Sequence, residues 1–533
     1  MPPALMGFRA AGRGVSLQHQ SHAIDVLPAA KKTARAEWAQ TAVLAASGAT
    51  SVFLLNGWNA LLPWVVVPAI AGACIGACST SKRQALVAGL ASALAGGAVS
   101  MWLYLSIPTS VRSLVVASLI GDDLGLLAVA LAVVVAPIVA LAVYLLVAGH
   151  AEESPRRRVV EWSTALVVAL SLLVTMSGPV QRAGATASVQ PVAGAYATDN
   201  MLNRKTYHLM ADGDGFYNAY VKAHAMDSRR LYAVQDGKFA SGSAAMMRQP
   251  TMFVMWGVVG PDHNFMRVVQ LSVLLSAVLL VATYAGLWKA IGPRSLFIST
   301  FIFPFFVTQA TTATSMLQPE WWATLAVLGG FLALVSGRPL SAGLLGLVAV
   351  TFRETSGVWL LAMGACAVVF ALHDRRAWRW VAAYFGLLAI GVAMYAIHVA
   401  VASRYVIHPT NSSVVGYLLY PSGVSVLRQL GPPLEYLMVA YGSSLASTLW
   451  LVPAGLVGLW IGLRRVPSAR LSAMVYVTVF LIYFAVLGVK GPYWGQLVTP
   501  LLVMGAGLAI ASADRIMDPA TWRVSLGDAR WGD

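Results

Sequence analysis

The run MRVVQLSVLLSAVLLVATYAGLWK, residues 266 to 289, carries its charges only near its ends, at Arg267 and Lys289. A helix of about 20 apolar residues is what the hydrocarbon core of a bilayer requires. Lipid offers the backbone no hydrogen-bond partners, so helices rather than open sheets must do the spanning. Comparable apolar stretches occur along most of the 533 residues. The chain is 58% hydrophobic and 11% charged, with a mean hydropathy of +0.72; an ordinary soluble domain is about 25% charged. These features predict an all-α, polytopic transmembrane helix bundle of about 13–14 spans.

The apolar segments fall at 38–56, 61–78, 84–106, 125–148, 159–178, 266–289, 295–309, 320–336, 340–352, 356–372, 380–402, 434–462, 471–488 and 493–512. The pair 340–352 and 356–372 is short, which suggests a hairpin with its tip at Phe352 to Gly357 held inside the protein. Residues 1–37 are polar and basic, with no apolar core of the signal-peptide kind, and read as a cytoplasmic tail. The domain reading is this tail, a four-helix membrane module at 38–150, a main membrane domain at 159–515, and a short cytoplasmic tail at 516–533.

The net charge of +15 is concentrated in short clusters: Lys31, Lys32 and Arg35; Lys82 and Arg83; Arg156 to Arg158; Arg375, Arg376 and Arg379; Arg464, Arg465 and Arg470. With residues 1–37 inside, strict alternation puts all of these clusters on the cytoplasmic side, as the positive-inside rule expects. No basic stripe of the nucleic-acid type is present. The same alternation gathers Asp212, Asp214, Arg248, Glu320, Arg353, Glu354, Arg404, His408, Lys490 and Tyr493 on the opposite face. Ionisable residues at membrane depth are expensive and usually line a site or a pathway.

The longest polar interval, 179–264, is the external loop of this topology. It contains Ala-Asp-Gly-Asp-Gly-Phe-Tyr-Asn-Ala-Tyr at 211–220, in a chain with only 21 acids. A partly desolvated carboxylate here can take a proton from an attacking hydroxyl. Asp-Gly-Asp-Gly is equally the composition of a turn. From Phe216 the pattern suits an amphipathic helix at the interface; residues 235–245 read as a turn, and Met252 to Val259 as an apolar return to the membrane surface. Arg353 and Glu354 suit either a site or an ion pair capping the hairpin. Glu320, after Pro319, suits the first turn of a helix, where the dipole favours an acid. His398 reads as a packed, hydrogen-bonded residue, His408 as a loop residue, and Trp321, Trp322, Trp359 and Tyr493 as interfacial anchors.

The order of these motifs resembles the GT-C superfamily of integral-membrane glycosyltransferases, which use polyprenyl-phosphate-linked sugars. The resemblance is carried by the acids of 211–220, Arg248-Gln249-Pro250, Gln318-Pro319-Glu320-Trp321-Trp322, Thr351-Phe352-Arg353-Glu354-Thr355, and Pro492-Tyr493-Trp494-Gly495-Gln496 leading to Pro500. It spans about residues 159–515. The two acids are separated by a glycine, where the family has adjacent acids or one, and four apolar segments precede the family's first helix. The resemblance implies Asp214, or Asp212, as the base that activates the acceptor. It implies Arg353, Arg404 and Lys490 at the lipid phosphate, with help from Arg248, and Glu320 at sugar hydroxyls or a basic partner. Glu354 and Tyr493 complete the substrate-binding set.

The expected activity is transfer of a sugar from a polyprenyl-phosphate donor to a glycan, lipid or protein acceptor at the outer face of the cytoplasmic membrane. No nucleotide cofactor is called for, a divalent metal stays open with no residue pattern to support it, and the partners are the donor, the acceptor and membrane lipids. The rival readings are a transporter or lipid flippase, and an envelope polysaccharide polymerase or ligase.

Overall fold

The computed structural model describes residues 82–106, 134–145, 199–226, 233–242, 247–260, 265–291, 316–409, 444–487 and 492–512, with isolated positions among 72–81 and at 244 and 531. The apolar segments expected at 38–56, 159–178 and 295–309, and most of 61–78, lie outside them. The described chain is mostly helical: α1 Lys82–Ser106, α2 Val134–Leu145, α3 Asp199–Ala211, α4 Phe216–Ala225, α5 Thr251–Val259, α6 Phe265–Ile291, α7 Pro319–Val335, α8 Pro339–Phe352, α9 Gly357–Ala371, α10 Trp378–Ala402, α11 Ser444–Gly462, α12 Pro467–Leu487 and α13 Thr499–Ala511. Three stretches among them, Phe265–Thr283, Glu354–Ala371 and Arg375–Tyr405, are long and apolar enough to cross a membrane.

Local chemistry sets the ends of these helices. Pro319 and Pro339 stand at the first turns of α7 and α8, where a missing N–H is harmless and φ is already helical. The helix α8 stops at Arg353, whose backbone is extended, and the turn Glu354–Ser356 reverses the chain into α9. The expected hairpin is therefore present, with Arg353 and Glu354 at its tip. Close packing needs small residues. A Cβ on Gly346 of α8 would fall 2.8 Å from side-chain atoms of Trp359 and Leu360 on α9, and one on Gly458 of α11 would run into the carbonyl oxygen of Gly505 on α13.

Part of the fold departs from the all-α expectation. Val234–Gln235 (β1), Lys238–Gly242 (β2) and Val406–Pro409 (β3) form a small sheet. β1 and β2 are antiparallel, β2 and β3 parallel, with Phe239 opposite Val406 and Ser241 opposite His408. Asp236 and Gly237, both at positive φ, make the two-residue hairpin turn, whose twist matches that of the strands. Thus 234–242 is a hairpin, where a plain turn was expected over 235–245, and His408 lies in a strand. The sheet ties the loop region to the end of α10.

The aromatic residues of the loop face protein. Phe216 and Tyr220 on α4 pack with Phe239 and with Phe253 of α5, the Phe216 and Phe253 rings 5.1 Å apart. On α5 the inner face is Met252, Phe253 and Trp256, and Val254 and Val258 remain exposed. Trp321, Trp322 and Trp359 are buried in the core rather than placed as surface anchors. The Trp321 indole donates to Ser272 Oγ at 2.9 Å and that of Trp322 to the Met316 carbonyl at 2.9 Å.

Candidate functional site

Four charged residues from three chain segments converge at the α8–α9 tip. Glu320, in the first turn of α7, is completely buried. Its Oε1 lies 2.9 Å from Arg353 Nε and 3.7 Å from Arg248 Nη1, and Arg353 Nη1 lies 3.2 Å from Glu354 Oε1. The formal charges balance, two positive and two negative. That balance is what permits such burial, because an isolated ion would carry a desolvation penalty of several kcal/mol. Glu354 retains some exposure, 28% of its side chain, so the cluster opens on the Glu354 side.

Hydrogen bonds fix the segments that supply these groups. Gln249 Nε2 donates to the Val350 carbonyl at 3.1 Å and holds Arg248 against the end of α8. Thr324 Oγ1 contacts the carbonyls of Glu320, at 2.7 Å, and of Gln496, at 2.8 Å. The second contact docks the turn Pro492–Leu497 on α7. Asn203 Nδ2 on α3 donates to the Leu317 carbonyl at 2.8 Å, just ahead of Glu320. Glu320 Oε2 accepts no hydrogen bond among the described residues, which leaves a buried acceptor oxygen for a further donor.

The acidic motif is the link between α3 and α4. Gly213 at φ +101°, with Gly213 N–H donating to the Met210 carbonyl and Asp214 N–H to that of Leu209, closes α3 by the glycine stop common at helix ends. So the residues do form a turn, and the turn presents both acids. Asp212 is exposed and Asp214 partly so. Lys222 Nζ, two turns along α4, donates to Asp214 Oδ1 at 2.6 Å and to Oδ2 at 2.9 Å.

One turn after Asp214, Tyr217 connects this acidic link to the arginine cluster. Its hydroxyl lies 3.0 Å from His398 Nδ1, and His398 Nε2 lies 3.1 Å from the carbonyl of Met247, the neighbour of Arg248. A carbonyl can only accept, so Nε2 carries the hydrogen and Nδ1 accepts from the tyrosine. The Tyr217 ring stacks on Tyr405 at 5.2 Å and on His398 at 5.8 Å. Burial, and then the Tyr405 phenol, push the Tyr217 phenol above its ordinary value.

No protein-family model and no curated protein matches the chain.

Of the residues singled out in the sequence, Arg248, Glu320, Arg353 and Glu354 thus meet directly. Asp214 is joined to them through Tyr217, His398 and Met247. Arg404 is exposed in the turn Ser403–Tyr405, next to the tyrosine that stacks on Tyr217. Tyr493 lies in the turn docked on α7, its side chain outside the described residues, as is Lys490 altogether. Among the described residues, no group of three His, Cys, Asp or Glu could hold a metal ion. Sequence reading missed Tyr217, Gln249 and Asn203, whose partners are 181, 101 and 114 positions away. His398, read as a packed residue, is packed and also bridges α4 to the Arg248 segment.

Proposed function

We propose that the chain is a polytopic membrane glycosyltransferase of GT-C type. It moves one sugar from a polyprenyl-phosphate donor to an acceptor at the outer face of the cytoplasmic membrane. The observation that carries this reading is the convergence of Arg248, Glu320 and Arg353, with α4, which begins beside Asp214, held to the Arg248 segment by Tyr217 through His398. In the reaction the acceptor oxygen attacks the anomeric carbon. The bond from that carbon to the phosphate oxygen breaks, and its electron pair leaves with the lipid phosphate. The acceptor proton passes to an Asp carboxylate, and the arginines support the charge on the departing phosphate. Glu320 Oε2 is the acceptor for a sugar hydroxyl. Lys222 occupies both oxygens of Asp214, so an acceptor hydroxyl must displace it.

The test is sugar transfer from radiolabelled polyprenyl-phosphate sugars by purified protein in lipid, comparing wild type with Asp212→Asn and Asp214→Asn. One folded, donor-binding Asn variant without transfer is expected. Equal transfer by wild type and both variants would remove the base from this turn. One observation favours a second reading, a transporter or lipid flippase: Glu320 is fully buried among apolar helices, as an alternating-access charge would be. That reading requires transport by wild type, no sugar transfer with competent donors, and activity that survives Asp214→Asn.

A further inference from the structure

The opposite end of α8 holds a second polar feature. Here the α7–α8 turn, the start of α10 and Trp531 of the C-terminal tail line a shallow pocket, open to the surface, of about 320 Å³. Arg338 and Arg379 line it together with Trp380, Ser341 and Leu340, and no acid does among the described residues. Neither arginine pairs with a carboxylate among the described residues; Arg379 sits 5.0 Å from the ring of Trp380. Arg338 to Ser341, at the N-terminus of α8, border the same space, and α8, at 14 residues, is long enough for its positive end to add to the field.

The walls are built rather than incidental. Trp531 is buried to 6% exposure, although it belongs to the segment expected to be a simple tail. Its indole donates to Tyr384 Oη at 3.0 Å, and that hydroxyl donates to the Pro339 carbonyl at 3.2 Å. Tail, α10 and α8 are thus joined at the rim. From the rim an apolar track leads away: Leu340, Leu344 and Val348 are exposed at intervals of four on α8, so they form one stripe. Exposed Trp378 stands at the start of α10, where an aromatic residue suits the headgroup level of a bilayer.

We infer that this pocket binds the phosphate of an anionic membrane phospholipid, between Arg338, Arg379 and the α8 N-terminus, with an acyl chain lying along Leu340, Leu344 and Val348. A guanidinium pair fits a phosphodiester by charge and by hydrogen-bond direction. The apolar stripe is what distinguishes a lipid from a soluble phosphate. This site is separate from the Arg353 cluster by the length of α8, about 20 Å at 1.5 Å per residue, and does not depend on the transferase reading.

The test is native mass spectrometry of the full chain released from micelles containing equal phosphatidylglycerol and phosphatidylcholine. Wild type is expected to retain phosphatidylglycerol preferentially, and Arg338→Gln/Arg379→Gln to lose that preference by about thirtyfold, as two headgroup contacts imply. Arg375→Gln/Arg376→Gln, at the same end but outside the pocket, is expected to keep it. Equal loss in both double variants would mean diffuse attraction and would overturn the site. Undiminished preference in Arg338→Gln/Arg379→Gln, the result expected if tail acids such as Asp528 and Asp533 occupy the arginines, would also overturn it. Full displacement of the lipid by glycerol 1-phosphate would replace the lipid by a soluble phosphate and sink the inference. Leu344→Gln, folded by its melting curve, is expected to weaken retention without changing the headgroup preference; unchanged retention would remove the acyl track.

Discussion

The two ends of α8 carry arginines in opposite circumstances. At Arg353 the guanidinium is buried, and Glu320 and Glu354 are within ion-pair distance. At the other end Arg338, Arg375, Arg376, Arg379, Arg464 and Arg465 are exposed, and Asp374 is engaged in capping its own turn by accepting from the Arg376 N–H. Burial is tolerated only with paired charge, and solvent or headgroups tolerate charge that is unpaired. The same residue type therefore marks a buried, charge-paired cluster at one end and an exposed surface rich in unneutralised positive charge at the other. The distribution suits a bilayer with an inner face rich in anionic lipid.

The sharpest way to break the comparison is Glu320→Ala. Removing it leaves Arg353 and Arg248 facing each other in the core without their shared acid. A loss of about 3–5 kcal/mol is expected, measured by denaturant titration in mixed micelles. The double change Glu320→Leu/Arg353→Met should recover much of that loss, because it removes the stranded charge as well as its partner. A silent Glu320→Ala would mean that water or lipid already reaches the cluster. Gly458→Ala is the uncharged counterpart, with its new methyl directed at the Gly505 carbonyl. It should cost about 1–3 kcal/mol through overpacking and, unlike the ion pairs, should not respond to salt.

How much of this was legible in the sequence follows from what each feature depends on. The long helices and the Arg353–Glu354 tip were readable because apolar runs and their polar interruptions are local signals. The helix α3 was missed because its packing face is built from Leu202, Asn203, Thr206, Tyr207 and His208, which give hydrophobic periodicity little to register. The hairpin was only half seen: Asp236-Gly237 is a strong turn signal, but β1 has two residues and β3 joins from 167 positions away, Val406 opposite Phe239. Trp321, Trp322 and Trp359 were misplaced at the surface because hydropathy does not tell a helix buried on all sides from one facing lipid. Of the candidate site, the charged members were visible as costly exceptions in an apolar chain. Their convergence, and the Tyr217–His398 connection, arise only from long-range packing.

A smaller effect sharpens the connection between the buried end and the acidic turn. Tyr217→Phe deletes the hydroxyl that donates to His398 Nδ1 and should cost about 1 kcal/mol. If that bond holds α4 in register with the cluster, transfer activity should fall further than stability does. The pH dependence has a definite sign. The phenol's folded value lies above its ordinary value of 10.0, so the protonated form is favoured on folding. Its contribution is intact below about pH 10 and is lost as pH rises through the folded value. Wild type should therefore weaken more steeply than Tyr217→Phe on the alkaline side; parallel curves would show that the hydroxyl is not buried in solution.

The smallest effect belongs to the exposed end. Arg464→Gln/Arg465→Gln removes two solvated cations in the α11–α12 turn, near Arg470, which is buried and held 3.6 Å from the Trp460 ring. No carboxylate among the described residues is stranded by the change, so stability should move by no more than about 0.5 kcal/mol. The direction is toward greater stability at low salt, because like charges are removed. Salt at about 1 M, where the screening length is about 3 Å, should abolish the difference. A loss of stability comparable to that of Glu320→Ala would mean that these arginines have partners in the folded protein, and the contrast between the two ends would fail.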